Sequence, residues 1–343
     1  MKKIISLLVV LAAFTWLLAA CGEKSQEDVI NDLDAVLDDL TGYKAEAEMT
    51  LQTGDEPQVY HVEVSYKTPT FYRVALSNAE KDQSQIILRN DEGVFVLTPA
   101  LNKSFRFQSD WPENNSQVYL YESLINDILM DPESSFSATE EHYVFQTNTN
   151  YTNKHLNQQE IMLNKKDLTP ASVKIMDVDL KVLVQVEFTD FEMNASFGDS
   201  DFDMDRNMTG AQLNSNVPTM AEGEMEEPFT VFYPMYNPQG AGYPNVEELR
   251  TEDGKRVIIT YEGEQAYTLV QQQSRYVDAT APVHISQGEP VDLGFTFGAM
   301  MNDGETKSIS WSYKGTDFFL ASKYLSEEDM IAVARSVYGT EEK

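Results

Sequence analysis

The chain has 343 residues, with 56 Asp and Glu against 25 Lys and Arg, a formal net charge of −31 and one cysteine. Such acidity argues against nucleic acid, whose phosphates would repel the surface, and against docking on anionic lipid through a basic patch. One thiol permits no disulfide within the chain, so stability must come from packed cores, and the length suffices for one large or two medium domains.

Lys2 and Lys3 precede a predominantly apolar run from Ile4 to Ala20 that ends at Cys21. A cationic start, an apolar stretch and small residues at the cut make a secretory signal. Leu18-Ala19-Ala20-Cys21 resembles the lipobox, in which the thiol receives a diacylglycerol before cleavage exposes its amine. The alternative is an uncleaved anchor, but the 17 residues of this run fall short of the ~20 that a spanning helix needs. Residues 1–20 therefore read as a lipoprotein signal peptide, which leaves 323 residues with a charge of −33. Two acyl chains make the attachment durable where one is marginal. The expected address is extracytoplasmic, lipid-anchored to the outer face of the cytoplasmic membrane.

Ser25 and Asp28 form a capping-box pattern before Val29, Ile30, Leu33, Val36, Leu37 and Leu40 at helical spacing, and Gly42 suits the stop. The period then changes to two. Tyr43, Ala45, Ala47, Met49 and Leu51 alternate with polar residues, and past a turn at Gly54 to Pro57 so do Tyr60, Val62, Val64 and Tyr66. Strands are expected at 70–77, 85–89, 94–98 and 103–107, then a helix at 116–130 stopped by Asp131-Pro132, then strands at 142–147, 159–164, 171–176 and 180–194. A sheet of about ten strands must curl or split, and the helices cover its apolar face.

The segment Lys67 to Val74, the hairpin Asn90 to Leu97 with Pro99 and Asn102-Lys103, and the helix ending Leu124 to Leu129 resemble the LolA-like lipoprotein-carrier superfamily. Its pattern runs from a P-x-x-Y/F-R strand through a D-G-x-x-x-W/Y-x-x-x-P hairpin to a lid helix. Within it, a lipid-anchored chain of this size resembles the sporulation-associated YdcC type of spore-forming Gram-positive bacteria. The resemblance implies an α+β fold: a half-open antiparallel β-barrel covered by amphipathic helices, whose cavity accepts acyl chains. It implies that Arg73 contacts the lid; on its residues alone, Arg73 equally suits a surface ion pair. Met49, Leu51, Val62, Val64 and Phe71 are candidate cavity wall, and they equally suit ordinary core. Phe95 stands where the family carries Trp or Tyr. The soluble carriers lack the permanent anchor that this chain keeps.

The half-barrel domain is expected over residues 21–205, a linker over 206–225 and a smaller α+β domain over 226–343. Asp199, Asp201, Asp203 and Asp205 alternate at the linker, but a calcium loop starting at Asp199 needs Gly at its sixth position and a carboxylate at its twelfth, where Met204 and Gly210 stand. No metal or cofactor is expected. Strands are expected at 229–232, 256–260, 266–272, 291–297, 306–313 and 316–321. A helix capped by Ser326 follows, with Met330, Ile331, Val333, Ala334 and Val337 as its stripe. The run Trp311 to Gly315 and the helix Ser326 to Ala334 resemble small extracytoplasmic domains of Gram-positive bacteria whose expected role is protein contact.

His61, His142, His155 and His284 are scattered, and His-Glu-x-x-His, Gly-x-Ser-x-Gly, Ser-x-x-Lys and phosphate-cradling glycine loops are absent from the sequence. The chain therefore reads as a non-catalytic lipoprotein. It binds an acyl chain, lipid or lipoprotein tail at the membrane, or alternatively docks another protein of the cell or spore envelope.

Overall fold

Ser25 and Asp28 cap each other: the Asp28 N–H donates to Ser25 Oγ at 3.2 Å, and Ser25 returns its own N–H to the Asp28 carboxylate at 3.0 Å. They open α1 (Gln26–Asp39) in a computed structural model that describes residues 23–52, 57–78, 83–112, 117–149, 158–198, 200–214, 229–251, 254–274, 283–285 and 288–338. Cys21 and the apolar leader lie outside the described residues, as does Asp199. The apolar stripe of α1 buries Val29 and Leu33. Among the described residues no helix is long and apolar enough to cross a membrane.

Residues Leu40–Lys343 form a second compact unit. The period-two runs become β1 (Gly42–Leu51) and β2 (Gln58–Lys67), and with β3 (Phe71–Asn78), β4 (Gln83–Asn90), β5 (Gly93–Thr98) and β6 (Lys103–Phe107) they form an antiparallel meander. Gly42 lies where a Cβ would come within 2.5 Å of the Tyr66 carbonyl oxygen, so only glycine lets β1 start this close to β2. After α2 (Tyr121–Met130), a second meander comprises β7 (Ser135–Ala138), β8 (His142–Asn148), β9 (Gln158–Asn164), β10 (Pro170–Met176) and β11 (Val182–Met193). The pairing of β1 with β11 joins the two meanders into one open sheet.

Alternation gives this sheet two distinct faces. Tyr43, Ala45, Ala47, Met49 and Leu51 of β1, Tyr60, Val62, Val64 and Tyr66 of β2, and Tyr72, Val74 and Leu76 of β3 are buried on one face. The opposite face carries Phe71, Arg73 and Ala75, together with a cluster of Ile86, Leu88, Phe95 and Leu97. This second face is covered by Phe202 and Met208 from around α3 (Met204–Asn214), a helix lying where the sequence reads as linker.

The C-terminal half forms a seven-stranded antiparallel sheet. Its strands are β12 (Ala241–Thr251), β13 (Gly254–Gly263), β14 (Tyr267–Gln273), β16 (Gly288–Asp292), β17 (Phe297–Asn302), β18 (Lys307–Tyr313) and β19 (Thr316–Ser322), in the order 12-13-14-19-18-17-16. The short β15 (Val283–Ile285) leaves it and runs parallel to β6, so the larger sheet has twelve strands. Helix α4 (Glu327–Arg335) is capped by Ser326, whose hydroxyl accepts the Asp329 N–H, and buries Met330, Ile331, Val333 and Ala334 as its spacing predicts. The molecule is thus α+β, mostly antiparallel, with open sheets and few helices.

Two expected strands differ. Phe229 to Phe232 is not a strand, because the Phe232 backbone pairs with a side chain: its N–H donates to Gln271 Oε1 at 2.8 Å, and Gln271 Nε2 donates to its carbonyl at 2.6 Å. The expected strand 291–297 is broken at Gly294, which has φ +84° and donates its N–H to Asp292 Oδ1 at 2.6 Å. That turn separates β16 from β17.

Candidate functional site

Arg73 sits in the middle of β3 on the α3 side of the sheet, opposite Ser65 and Leu88 in register. Its Nε donates to Asn207 Oδ1 of α3 at 2.7 Å, and its NH1 pairs with Glu63 Oε2 at 3.0 Å. Asn207 is itself fixed, since its Nδ2 donates to the carbonyls of Asp201 at 2.9 Å and Asp203 at 2.8 Å. Asp203 accepts the Arg206 N–H at 2.8 Å, a cap for the first turn of α3. Asp201 accepts the Gly198 N–H at 2.9 Å. These acids of the alternating run therefore serve the backbone. The Arg73 side chain is 23% exposed, so its bond to Asn207 is shielded, whereas the pair with Glu63, itself 48% exposed, is an ordinary surface ion pair.

Beneath this bridge lies a cleft of about 610 Å³ between β1–β4 and α3. Ala75, Ile86, Phe197 and Ala211 supply apolar wall; Lys44, Glu63, Arg73 and Arg206 supply charge. Lys44 Nζ stands 5.2 Å from the centre of the Phe197 ring, and Arg206 reaches Ser200 Oγ. The cleft is lined from the α3 face. Met49, Leu51, Val62 and Val64 lie on the other face, each 4% exposed or less, and line none of the clefts described here. Phe71, grouped with them from the sequence, lies instead on the Arg73 side and packs edge-on against Phe202 at 5.6 Å.

The face bearing Met49 and Val62 holds a buried carboxyl that the sequence reading passed over. Glu122, at the start of α2, accepts the Tyr43 hydroxyl on Oε2 at 2.8 Å, and that hydroxyl accepts the Tyr121 N–H at 3.1 Å. The Tyr43 ring stacks on Phe191 at 5.0 Å and meets Tyr66 at 5.5 Å; Tyr66 in turn meets Tyr72 at 4.8 Å. Parts of Glu122 reach solvent, but Oε1 is sealed and without a partner. Burial pushes the Glu122 carboxyl up to about 7, only partly offset by hydrogen bonds from Tyr43 and Tyr72. Burial likewise holds the Tyr43 and Tyr72 hydroxyls above their ordinary value. A glutamate in the first helical turn reads as a solvated side chain favoured by the helix dipole, so only the tyrosines at period two hinted at this cluster.

An open antiparallel sheet with a helix pinned across one face over a part-apolar cleft defines the class: an α+β protein with a helix-covered groove. A family model described as sporulation protein YdcC-like matches residues 1–202. Sporulation protein YdcC of Bacillus subtilis (strain 168) is 50% identical over 328 residues, spanning 95% of this chain and 94% of that protein. The chain belongs to the sporulation protein YdcC-like family. Among solved structures it is similar to a LolA superfamily protein from Nitrosomonas europaea, with a TM-score of 0.29 and 10% identity over 52% of this chain and 98% of that one. It is also similar to MucB in complex with MucA(peri), with a TM-score of 0.30 and 12% identity over 91% and 98% of the respective chains.

Proposed function

We propose that the protein is a non-catalytic lipoprotein of the sporulating cell's envelope, held at the outer face of the cytoplasmic membrane by a diacylglyceryl group on Cys21. There it binds an acyl chain, lipid or lipoprotein tail in the cleft between β1–β4 and α3. The observation that carries this reading is the Arg73–Asn207 bond at 2.7 Å, which fastens α3 over the cleft from the sheet side. An apolar strip through Ile86 and Phe197 suits a chain, and Lys44 and Arg206 at its edge suit an anionic head. The sporulation setting follows from the Bacillus subtilis relative's name.

The test is native mass spectrometry of residues 23–343, which carry every described element, incubated with membrane lipid extract and purified without detergent. A retained acyl species whose occupancy changes in Arg73→Ala supports the reading. An empty protein in both forms, with the fold intact by circular dichroism, overturns it. A second reading, docking to another extracytoplasmic protein, is supported by β12. This edge strand is exposed along both faces, with Tyr243 95%, Leu249 43% and Val246 39% exposed, and among the described residues no strand pairs with its outer side.

A further inference from the structure

The smaller sheet has one packed face and one open face, and the open face is not uniformly polar. Ile258, Val270 and Phe319 lie directly opposite one another across β13, β14 and β19 and form an apolar row. Phe319 keeps 40% of its surface exposed. Where Phe105 of β6 approaches this face, a groove of about 510 Å³ opens, lined by Phe105, Val270 and Phe319. That size is ordinary for a small-molecule site. The next cross-strand row is Arg256, Gln272 and Asp317, all at the same groove.

The two charges of this row are treated differently. Asp317 is saturated, with Lys103 Nζ on Oδ2 and the hydroxyls of Ser274 at 2.7 Å and Ser312 at 2.6 Å on Oδ1. Arg256 has only a neutral partner, the amide oxygen of Gln272, reached at 3.1 Å from Nε and 2.8 Å from NH2. In a chain with 56 acidic residues against 25 basic ones, a guanidinium beside an apolar groove that makes no bond to a carboxylate among the described residues is out of keeping with its surroundings. Guanidinium presents a planar fork that matches carboxylate geometry, and Gln272 already orients one edge of it.

We propose that this groove is a binding site for a carboxylate-headed amphiphile of the fatty-acid class, with Arg256 holding the head and Phe105, Val270 and Phe319 the chain. The site is separate from the cleft under α3 and stands or falls independently of it.

The experiment is calorimetric titration of residues 23–343 with monomeric dodecanoate, alongside dodecyltrimethylammonium as a cation of equal chain length. A peptide ending in leucine serves as a second source of carboxylate. Dodecanoate is expected to bind at least tenfold more tightly than the cation. Arg256→Gln should remove that preference, Arg256→Lys should keep part of it, and Phe319→Ala should weaken both amphiphiles alike. Whatever Arg73→Ala does to binding in the α3 cleft, the component of the titration that Arg256→Gln removes should persist in it, which separates this groove from that cleft. Equal binding of the two amphiphiles, dodecanoate binding indifferent to Arg256→Gln, or binding of the peptide alone each overturns the proposal. Unchanged thermal melts of the variants show that they fold.

Discussion

Gln271 and Glu122 are both buried polar groups, and they stand at opposite ends of the energetic scale. Gln271 is 0% exposed yet satisfied, because its amide presents one donor and one acceptor to the Phe232 backbone as a neighbouring strand would. Replacing it by Leu strands the Phe232 N–H and C=O in the core, and two unsatisfied groups cost ~2–4 kcal/mol. Urea denaturation of Gln271→Leu should show a loss of that size; a loss below ~1 kcal/mol would mean that water reaches Phe232. Glu122 is half satisfied, with Oε2 bonded and Oε1 bare. Its carboxyl titrates near 7 in the folded protein against an ordinary 4.5. The native state therefore keeps a proton that the unfolded chain has already released over this range, so the contribution of Glu122 to stability is greatest below about 4.5, falls as pH rises toward 7, and levels above it. The fall from this group is at most ~3 kcal/mol. Glu122→Gln should flatten that part of the stability–pH curve and be more stable than the parent at pH 8, as urea melts across pH would show. A variant with the same pH slope as the parent would refute this.

Helix α3 is the element on which the cleft depends, and it is weakly made. Gly210 and Thr209 lie inside it, both poor helix formers, so docking must supply what propensity does not. The docking includes Met208 in the Phe95–Leu97 cluster, Met204 and Ala211 packed against it, and the Arg73–Asn207 bond. A shielded hydrogen bond to a charged group contributes ~1.5–3 kcal/mol, so Arg73→Ala should speed hydrogen exchange of the α3 amides at least about tenfold while β3 is unchanged. Equal exchange in parent and variant would show that the apolar cluster alone holds the helix. The same weakness hid α3 from the sequence, where its few apolar residues sit among Asn, Thr and Gly and read as linker; Asp203 as its cap was the available signal. Strand β12 was hidden by Gly242 and Pro244, which an edge strand tolerates and a central one does not. The alternating runs of β1 to β3 and the stripe of α4 were legible because burial on one face imposes the period itself. The cleft was not, because Lys44, Arg73, Phe197 and Asn207 come from two strands, a loop and a helix up to 163 residues apart. Arg73 alone of these carries a motif, and the motif pairs it with the helix at 116–130, whereas its helical partner is Asn207 of α3. Period two put Met49, Leu51, Val62 and Val64 together on one face, but says nothing about which face carries a groove.

On the scale of the molecule, the two sheets are stitched rather than merely adjacent. Strand β15 leaves the C-terminal half to pair with β6. Lys103 meets Asp317, the Tyr313 hydroxyl donates to Gln58 Oε1 at 3.0 Å, and the Tyr119 hydroxyl reaches Asp292 Oδ2 at 3.3 Å. The central stitch is Gln85 of β4, 8% exposed, whose Oε1 accepts from Thr296 Oγ1 at 2.7 Å and from the Phe297 N–H where β17 begins. Most of these contacts are polar and shielded, so separating the sheets would strand several partners at once and has no cheap intermediate. Residues 40–343 should then unfold in one cooperative step despite containing two sheets. Gln85→Ala tests this, since it removes a contact that belongs to neither sheet alone and leaves the Phe297 N–H unpaired, a cost of ~1–3 kcal/mol. If the unit is cooperative, native-state hydrogen exchange should show protection lowered by the same factor at Val62 and Val74 in the larger sheet and at Leu269 and Leu320 in the smaller. A loss confined to Leu269 and Leu320, or two separate transitions in the parent, would show instead that each sheet carries its own stability and that the stitches only set their placement.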